Sequence, residues 1–189
     1  MYYELSLQDL VDENDDALSY FYIENVRDDD LEWPWLHGIK FSNPPSSPLA
    51  LKVDLDDPDA GACADYVLGP IPLVTRGFRK VLDDCGVTNI DYYPVSIDGA
   101  DRFGEFPEYL AINIVGKVAI ADKRKSEYTE AFGHMGATRF DKFVFDPATV
   151  RGLKVFRMAE RMAIVVVSEE IKVSSEKAGI PTLMFRPLV

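Results

Sequence analysis

Residues Val74–Val95 read VTRGFRKVLDDCGVTNIDYYPV, and a similar stretch, VSEEIKVSSEKAGIPTLMFRPL, occupies Val167–Leu188. The two stretches align without a gap, and eight of the matched positions carry residues of the same chemical character. The matched pairs are Val74 with Val167, Thr75 with Ser168, Gly86 with Gly179, Pro94 with Pro187, and the apolar residues Phe78, Val87, Ile90 and Tyr92 with Ile171, Ile180, Leu183 and Phe185. This alignment indicates that one supersecondary unit occurs twice in the chain.

Each copy has the pattern of a strand, a helix and a second strand. An apolar run precedes Thr75 and Ser168, whose hydroxyl oxygens suit a helix N-cap because they accept a backbone N–H. Gly86 and Gly179 stand where a helix ends on a left-handed residue, a conformation that glycine adopts without a steric penalty. Two explanations are open: an internal duplication, which predicts two pseudo-symmetric halves, or a coincidence between two common units.

The remaining segments favour strands over helices. Tyr109–Ala121, YLAINIVGKVAIA, is the strongest strand signal outside the repeats, and Gly116 within it predicts a bulge or a close backbone approach. Tyr2–Leu7 is predicted to be an edge strand, whereas the charged segment Asp122–Glu130 is predicted to be helical. Ser42–Pro48, SNPPSSP, is predicted to be a loop because proline lacks the N–H that pairing in a sheet requires.

Length and composition bound the domain organisation. The chain has 189 residues, of which 47% are hydrophobic, enough for a substantial core. We predict one domain over residues 1–189, with a weak internal boundary at 42–48. Its class is α+β, with a mixed, mainly antiparallel sheet and the two strand–helix–strand units.

The charge balance limits the classes of partner. The net charge is −12, from 32 acidic and 20 basic residues, which argues against sequence-independent nucleic-acid binding because that binding needs a cationic face. Either ordinary solubility or a basic partner accounts for the excess. No apolar run has the length of a membrane span, and the N-terminus lacks a secretion segment. Two cysteines, Cys63 and Cys85, do not make a disulfide framework, so we expect a cytoplasmic protein.

The sequence shows no pattern that identifies catalytic chemistry. His37 and His134 lack the spacing of zinc ligands, and no nucleophile stands in a recognisable motif with its base. Cys85 lies on the apolar stripe of the first predicted helix, where it suits packing. We therefore predict no catalytic residue, metal or cofactor. An enzyme that uses scattered carboxylates remains an alternative, because catalytic groups often come from distant segments.

Several motifs resemble those of one bacterial immunity-protein family. It is the eleventh immunity family named for polymorphic toxin systems and is typified by a myxobacterial protein. They are P-L-V-T-R-x-F-R-x-V-L-x-x-C-G-V-x-x-I-x-Y-Y-P-V at Pro72–Val95, YLAINIVG at Tyr109–Gly116, Phe156-Arg157, V-S-E-E-I-K-x-x-x-E-K-A-G-I at Val167–Ile180, and the opening Met1-Tyr2-Tyr3. The resemblance spans nearly the whole chain and is clearest from Pro70 to Pro187. It implies a cytoplasmic, non-catalytic protein that binds and neutralises a cognate secreted toxin, and a basic toxin would suit the acidic chain.

If a toxin is bound, two acidic segments are the candidate contact sites. The candidate residues are Asp28, Asp29, Asp30 and Glu32 with Trp33 and Trp35, and then Asp54, Asp56 and Asp57. Acidic residues beside aromatic ones resemble an interface hot spot with a charged rim. The alternatives are that the tryptophans cover the core and that the charges are solvated loops. A scaffold or regulatory module bound to another partner is a further functional alternative.

Overall fold

The computed structural model describes residues 1–11, 17–24, 31–54, 60–130 and 138–189. The described α-helices are α1 (Arg76–Asp84) and α2 (Glu169–Lys177), and short 3-10 helices occupy Ala100–Phe103 and Pro147–Thr149. The strands, in chain order, are β1 (Tyr2–Leu7), β2 (Leu10–Val11), β3 (Ala17–Tyr20), β4 (Leu49–Lys52), β5 (Ala60–Ala62), β6 (Tyr66–Val67), β7 (Leu73–Thr75), β8 (Ile90–Asp98), β9 (Tyr109–Ile114), β10 (Lys117–Val118), β11 (Glu127–Thr129), β12 (Arg139–Lys142), β13 (Val155–Met158), β14 (Val165–Ser168) and β15 (Leu183–Pro187).

Two five-stranded sheets form the frame of the molecule. Sheet A has the order β4-β8-β9-β7-β6, and sheet B has the order β10-β13-β14-β1-β15. A small sheet, β2-β3-β5, and the antiparallel pair β11-β12 accompany them. Most neighbouring strands are antiparallel, while β4 with β8, β10 with β13 and β3 with β5 run parallel. The predicted α+β class with mixed, mainly antiparallel sheets is therefore confirmed.

The helix boundaries follow the predicted caps. Thr75 is the N-cap of α1, and its hydroxyl oxygen accepts the backbone N–H of Phe78 at 3.2 Å. Gly86 and Gly179 follow the two helices with φ of 69° and 70°, the left-handed conformation that favours glycine. Ser168 occupies the N-cap position of α2, but its side chain makes no capping hydrogen bond. The caps are thus equivalent in position and differ in their hydrogen bonding.

The two strand–helix–strand units hold equivalent places in the two sheets. In sheet A, β7 and β8 lie on either side of β9 and run antiparallel to it. In sheet B, β14 and β15 lie in the same way on either side of β1. The central strand of sheet A follows its unit along the chain, whereas that of sheet B comes from the N-terminal residues. The central strand of sheet B, β1, therefore lies far before the unit β14–α2–β15 in the sequence.

The registers agree residue by residue. The equivalent pairs are Thr75–Tyr109 and Ser168–Tyr2, Ile90–Ile114 and Leu183–Leu7, Tyr92–Ile112 and Phe185–Leu5, and Pro94–Leu110 and Pro187–Tyr3. The same difference in residue number thus relates each residue of β9 to its equivalent in β1, for the neighbouring strand on either side. The next strands extend the correspondence, since Tyr66 lies opposite Val74 and Val155 lies opposite Val167. A chance likeness of two common units does not explain a shared register on four strands, so the arrangement supports an internal duplication.

The prediction that Tyr2–Leu7 is an edge strand is wrong. β1 is paired on both sides and lies inside sheet B. Its alternate residues Tyr3 and Leu5 are 7% and 5% exposed and point into the central core. The partners of this strand are 160 to 184 residues away along the chain, a separation that local patterns do not encode.

Residues 109–121 divide between the two sheets. β9 ends at Ile114, and β10 pairs with β13 in sheet B. Gly116 lies at the crossing with φ of 142°, and its N–H donates to the carbonyl oxygen of Gly38 at 2.9 Å. This confirms the predicted close backbone approach. The predicted helix at residues 122–130 is wrong, because β11 occupies its end and pairs with β12.

The core has a central part and two outer parts. The central cluster joins both sheets to both helices and includes Tyr3, Leu5, Tyr66, Val74, Phe78, Val81, Ile112, Val155, Val167 and Ile171. On the outer face of sheet A, Leu51, Leu73, Tyr93 and Ala111 cluster with Phe21, Trp35, Phe41 and Val53. We call the described residues 17–24 and 31–54, which include the edge strand β4 and the segments that pack on this face, the cover layer. A third cluster lies on the outer face of sheet B around Phe156 and Val166.

Candidate partner-binding surface

The structure describes four of the nine candidate contact residues. They are Glu32, Trp33, Trp35 and Asp54, and all four belong to the cover layer on sheet A. The other five, Asp28, Asp29, Asp30, Asp56 and Asp57, lie outside the described residues. The described members of both acidic segments are thus on one layer of the molecule.

Trp35 belongs to the core of the cover layer. Its side chain is 0% exposed, and its ring lies edge-on to Phe41 and Tyr93, with centroid distances of 4.9 and 5.5 Å. Buried aromatic contacts of this geometry add about 0.5–1.5 kcal/mol each beyond the area that they bury. Trp35 is therefore a core residue and not a surface contact. Its ring packs beneath the residues that face solvent.

Trp33 is half-buried and lies closer to solvent. Its indole N–H donates to the carbonyl oxygen of Asn43 at 2.7 Å, and its ring meets Trp35 edge-on at 6.4 Å. Together with Phe41 it lines a pocket of about 230 Å³, and the exposed carboxylate of Glu32 stands at the same pocket. An aromatic ring held in place beside a carboxylate is the arrangement that the sequence predicts for a hot spot.

Asp54 follows β4 in the same layer and is half-buried. Its backbone N–H donates to the carbonyl oxygen of Tyr22 at 2.7 Å. The adjoining Val53 is fully buried and bridges to Ile23. These contacts fix the backbone from which the second acidic segment begins.

The charge of the chain is segregated along the sequence. Residues 1–65 contain 16 acidic and 3 basic side chains, a net charge of −13, whereas residues 66–189 contain 16 acidic and 17 basic ones, a net charge of +1. The whole negative excess therefore belongs to the first third of the chain. Counting charges by segment reveals this signal from sequence alone, while the total of −12 conceals it.

Ion pairs are also more numerous in residues 66–189 than in the described part of residues 1–65. In residues 66–189 several acids have nearby cations, as in Lys80–Asp84 at 2.7 Å and Lys172–Glu176 at 2.6 Å. Within the described portion of residues 1–65, Lys52 pairs with Glu24 at 2.6 Å. Residues 1–65 supply three cations against sixteen carboxylates, so this segment is strongly negative.

A polar cluster beneath the surface ties the two units together. The hydroxyls of Thr75 and Thr182 donate to the two carboxylate oxygens of Asp65 at 2.7 and 2.8 Å. The backbone N–H of Asp65 donates to the Thr182 oxygen at 2.8 Å. Because Thr75 caps α1 and Thr182 immediately precedes β15, the cluster joins the start of the first unit to the last strand of the second. Its hydrogen bonds have a structural role, because they link segments that are distant in the sequence.

Other buried ionisable groups also make structural contacts. Glu160 is 7% exposed, and its carboxylate accepts the backbone N–H groups of Ile120 and Ala121 at 3.3 and 3.0 Å. Burial raises the pKa of the Cys63 thiol, which keeps it protonated and poorly nucleophilic. Burial also raises the pKa of Tyr109, whose hydroxyl donates to the Ala64 carbonyl at 2.7 Å.

Among the described residues, no group of three or more His, Cys, Asp or Glu side chains is placed to hold a metal ion. Among the same residues, no helix has the length and apolar character that crossing a bilayer requires.

Comparison with known proteins identifies the family. The model of the immunity protein family Imm11 matches residues 37–189, which includes both units, sheet A and the Asp54–Asp57 segment. The match begins after Trp35, so the candidates from Asp28 to Trp35 lie outside it. A search of curated proteins gave no match. This chain belongs to the immunity protein family Imm11.

Proposed function

We propose that the chain is an immunity protein that binds a cognate secreted toxin and neutralises it by protein–protein contact. Membership of the Imm11 family over residues 37–189 carries this proposal. In this account the protein acts in the cytoplasm of the toxin-producing cell, needs no cofactor and catalyses no reaction.

The charge segregation supports a basic partner. A net charge of −13 within residues 1–65 attracts a cationic surface and orients it toward this part of the chain. Such steering raises association rates above the neutral range of about 10⁵–10⁶ M⁻¹s⁻¹, and salt weakens it. The nearly neutral remainder, at +1, offers no comparable attraction.

Within that surface, the proposed contact residues are the two acidic segments with Trp33. The segments are Asp28, Asp29, Asp30 and Glu32, and Asp54, Asp56 and Asp57. Trp33 presents a half-buried ring that its hydrogen bond to Asn43 holds in place. A preordered aromatic ring loses little conformational entropy on binding, and surrounding carboxylates add complementarity at the rim. Trp35 takes part by holding Trp33 from below.

Binding to the toxin encoded beside this chain tests the proposal. The purified chain and the toxin domain are mixed, and complex formation and residual toxin activity are measured from low to high salt. We expect a stoichiometric complex in which the toxin is inactive and association slows as salt rises. A toxin that stays fully active at saturating concentrations of the chain would refute neutralisation. A tight complex whose association rate ignores salt would refute the electrostatic part alone.

A further inference from the structure

The outer edge of β8 is paired along only half of its length. β4 pairs with its later residues in parallel, from Leu49 opposite Val95 to Lys52 opposite Asp98. The residues that precede β4, SNPPSSP at 42–48, continue along the same edge but form no strand. Pro44, Pro45 and Pro48 lack the N–H that pairing with β8 would use. The edge at residues 90–94 is therefore left without a strand partner among the described residues.

Two hydrogen bonds establish which backbone groups face this edge. On the β9 side, Val115 N–H donates to the Asn89 carbonyl at 2.8 Å, so alternation places Ile90, Tyr92 and Pro94 at positions that do not bond to β9. On the β4 side, Val53 N–H donates to the Asp98 carbonyl at 3.0 Å, so the backbone groups of Asp98 face the outer edge. Because backbone direction alternates along a strand, the groups of Ile90, Tyr92 and Pro94 face the same edge. The N–H groups of Ile90 and Tyr92 thus point outward.

The position of the proline agrees with this assignment. Pro94 belongs to the outward-facing set, where a missing N–H costs no bond to β9. Pro187, its equivalent in β15, lies at the matching position opposite Tyr3. A proline near the end of an open edge limits uncontrolled pairing with other strands. The edge is thus open for a short, defined length.

A groove runs along the open edge. It has a volume of about 560 Å³ and lies between β8 residues 90–94 and a wall formed by Lys40, Phe41, Pro44 and Pro45. The side chain of Arg79 from α1 also lines it. This volume is within the range of about 300–1,000 Å³ of pockets that bind small ligands.

The two sides of the groove have different chemistry. On the side of α1, the Arg79 guanidinium lies over the Tyr92 ring at 4.5 Å from its centroid and pairs with Asp83 at 3.3 Å. On the cover-layer side, Phe41 stacks on Tyr93 with centroids 5.7 Å apart. Lys40 is exposed and has no carboxylate partner within the described ranges. A strand entering here would direct alternate side chains to the Arg79 side and to the Phe41 side.

We propose that residues 90–94 are a docking site for an extended segment of the toxin, which adds to sheet A as a strand beside β8 and in line with β4. This inference rests on the proposed function. The segment would carry a carboxylate toward Lys40, away from the Asp91 carboxylate that also lines the groove, and an apolar side chain toward Phe41. Backbone pairing supplies the affinity, and the two walls supply the selectivity.

Amide hydrogen exchange measured by NMR tests the docking site. The experiment compares the free chain with its complex with the toxin domain encoded beside it. The outward N–H groups of Ile90 and Tyr92 are expected to exchange at least about 100-fold more slowly in the complex, because each becomes hydrogen-bonded. The equivalent N–H groups of Leu183 and Phe185 on β15 are an internal control and are expected to remain unchanged.

A pair of variants at one position gives a second readout. Tyr92→Ala and Tyr92→Pro both remove the ring, but only the proline removes the outward N–H, at a position that does not bond to β9. With folding checked by circular dichroism, we expect the proline variant to bind the toxin at least about tenfold more weakly than the alanine variant.

The outcomes separate the two proposals. A complex without protection of Ile90 and Tyr92 overturns the docking site and leaves the proposed function standing. Protection of Leu183 and Phe185 instead would also overturn it. If the native chain forms no complex with the toxin domain, both proposals fall together.

Discussion

The backbone N–H of Leu188 donates to the carbonyl oxygen of Tyr2 at 3.0 Å. This bond places the end of β15 beside the start of β1 in sheet B. The equivalent strands of sheet A, β8 and β9, are joined by residues 99–108 of the chain. The two sheets therefore have the same strand arrangement. They differ in connectivity, because β8 is followed directly by β9, whereas β15 and β1 lie at opposite ends of the chain.

A circular permutant tests this equivalence. Val189 is joined to Met1 by a linker of about six Gly and Ser residues, and new termini are opened between Gly104 and Glu105, which are both exposed. Because the joined strands are already neighbours, we expect cooperative unfolding with a Tm within a few degrees of the parent.

Opening the same joined chain between Ile112 and Asn113 is the matched control. These residues are buried in β9, so the cut interrupts the middle of sheet A and should abolish folding. If the Gly104 permutant also failed to fold, the proposed correspondence of the two sheets would lose its support.

The two N-caps differ in their expected contributions to stability. Thr75→Ala removes the 3.2 Å cap to Phe78 and the 2.7 Å bond to Asp65, and should lower the free energy of unfolding by about 1–3 kcal/mol. Ser168→Ala removes a buried hydroxyl that makes no hydrogen bond among the described residues, and should change stability by less than about 0.5 kcal/mol. Urea unfolding measures both, and equal losses would contradict the assignment.

The tryptophans should separate stability from binding. Trp35→Ala leaves a large void in the cover layer and is expected to lower the free energy of unfolding by about 3–5 kcal/mol. Trp33→Ala should cost less than half as much, but weaken toxin binding by at least about tenfold if its ring is a hot spot. Thermal unfolding and calorimetric titration give the two quantities. Native affinity in the Trp33 variant would remove that residue from the proposed contact surface.

High pH should destabilise the protein in part through Tyr92. Burial raises the pKa of this tyrosine to about 12, above the value of about 10 expected in the unfolded chain. The resulting stabilisation is present below pH 10 and is lost as the pH rises from 10 to 12, because the unfolded state loses its proton first. Tyr92→Phe should flatten the fall in Tm across this window. Tyr22→Phe, at a position that is 48% exposed, is the matched control for the loss of one tyrosine hydroxyl.

Local signals in the sequence predict the two units well. Thr75, Gly86 and Gly179 fix the helix ends through their own backbone and side-chain chemistry, so a short window contains the necessary information. Strand partnership is different, because β1 obtains both neighbours from the far end of the chain. The same limit explains why residues 109–121 resemble a single strand in sequence, although the chain crosses between sheets at Gly116.

The candidate surface was predictable only in composition. Acidic residues beside Trp33 and Trp35 indicate a patch, but sequence alone does not distinguish the buried Trp35 from the half-buried Trp33. That distinction depends on Phe41 and Tyr93, which the fold brings against Trp35. The open edge of β8 likewise depends on which side of the strand β9 occupies.

Charge reversal of Asp28, Asp29 and Asp30 to Lys tests most directly whether the acidic segment meets the toxin. The matched control reverses Glu127, Glu130 and Asp141, three exposed acids outside residues 1–65, and changes the net charge by the same amount. The measurement is the association rate with the toxin domain at low salt, with the Tm of each variant confirming its fold. We expect at least about a tenfold decrease for the first variant and less than about a threefold change for the control. Equal rates for the two variants would show that this acidic segment does not meet the toxin.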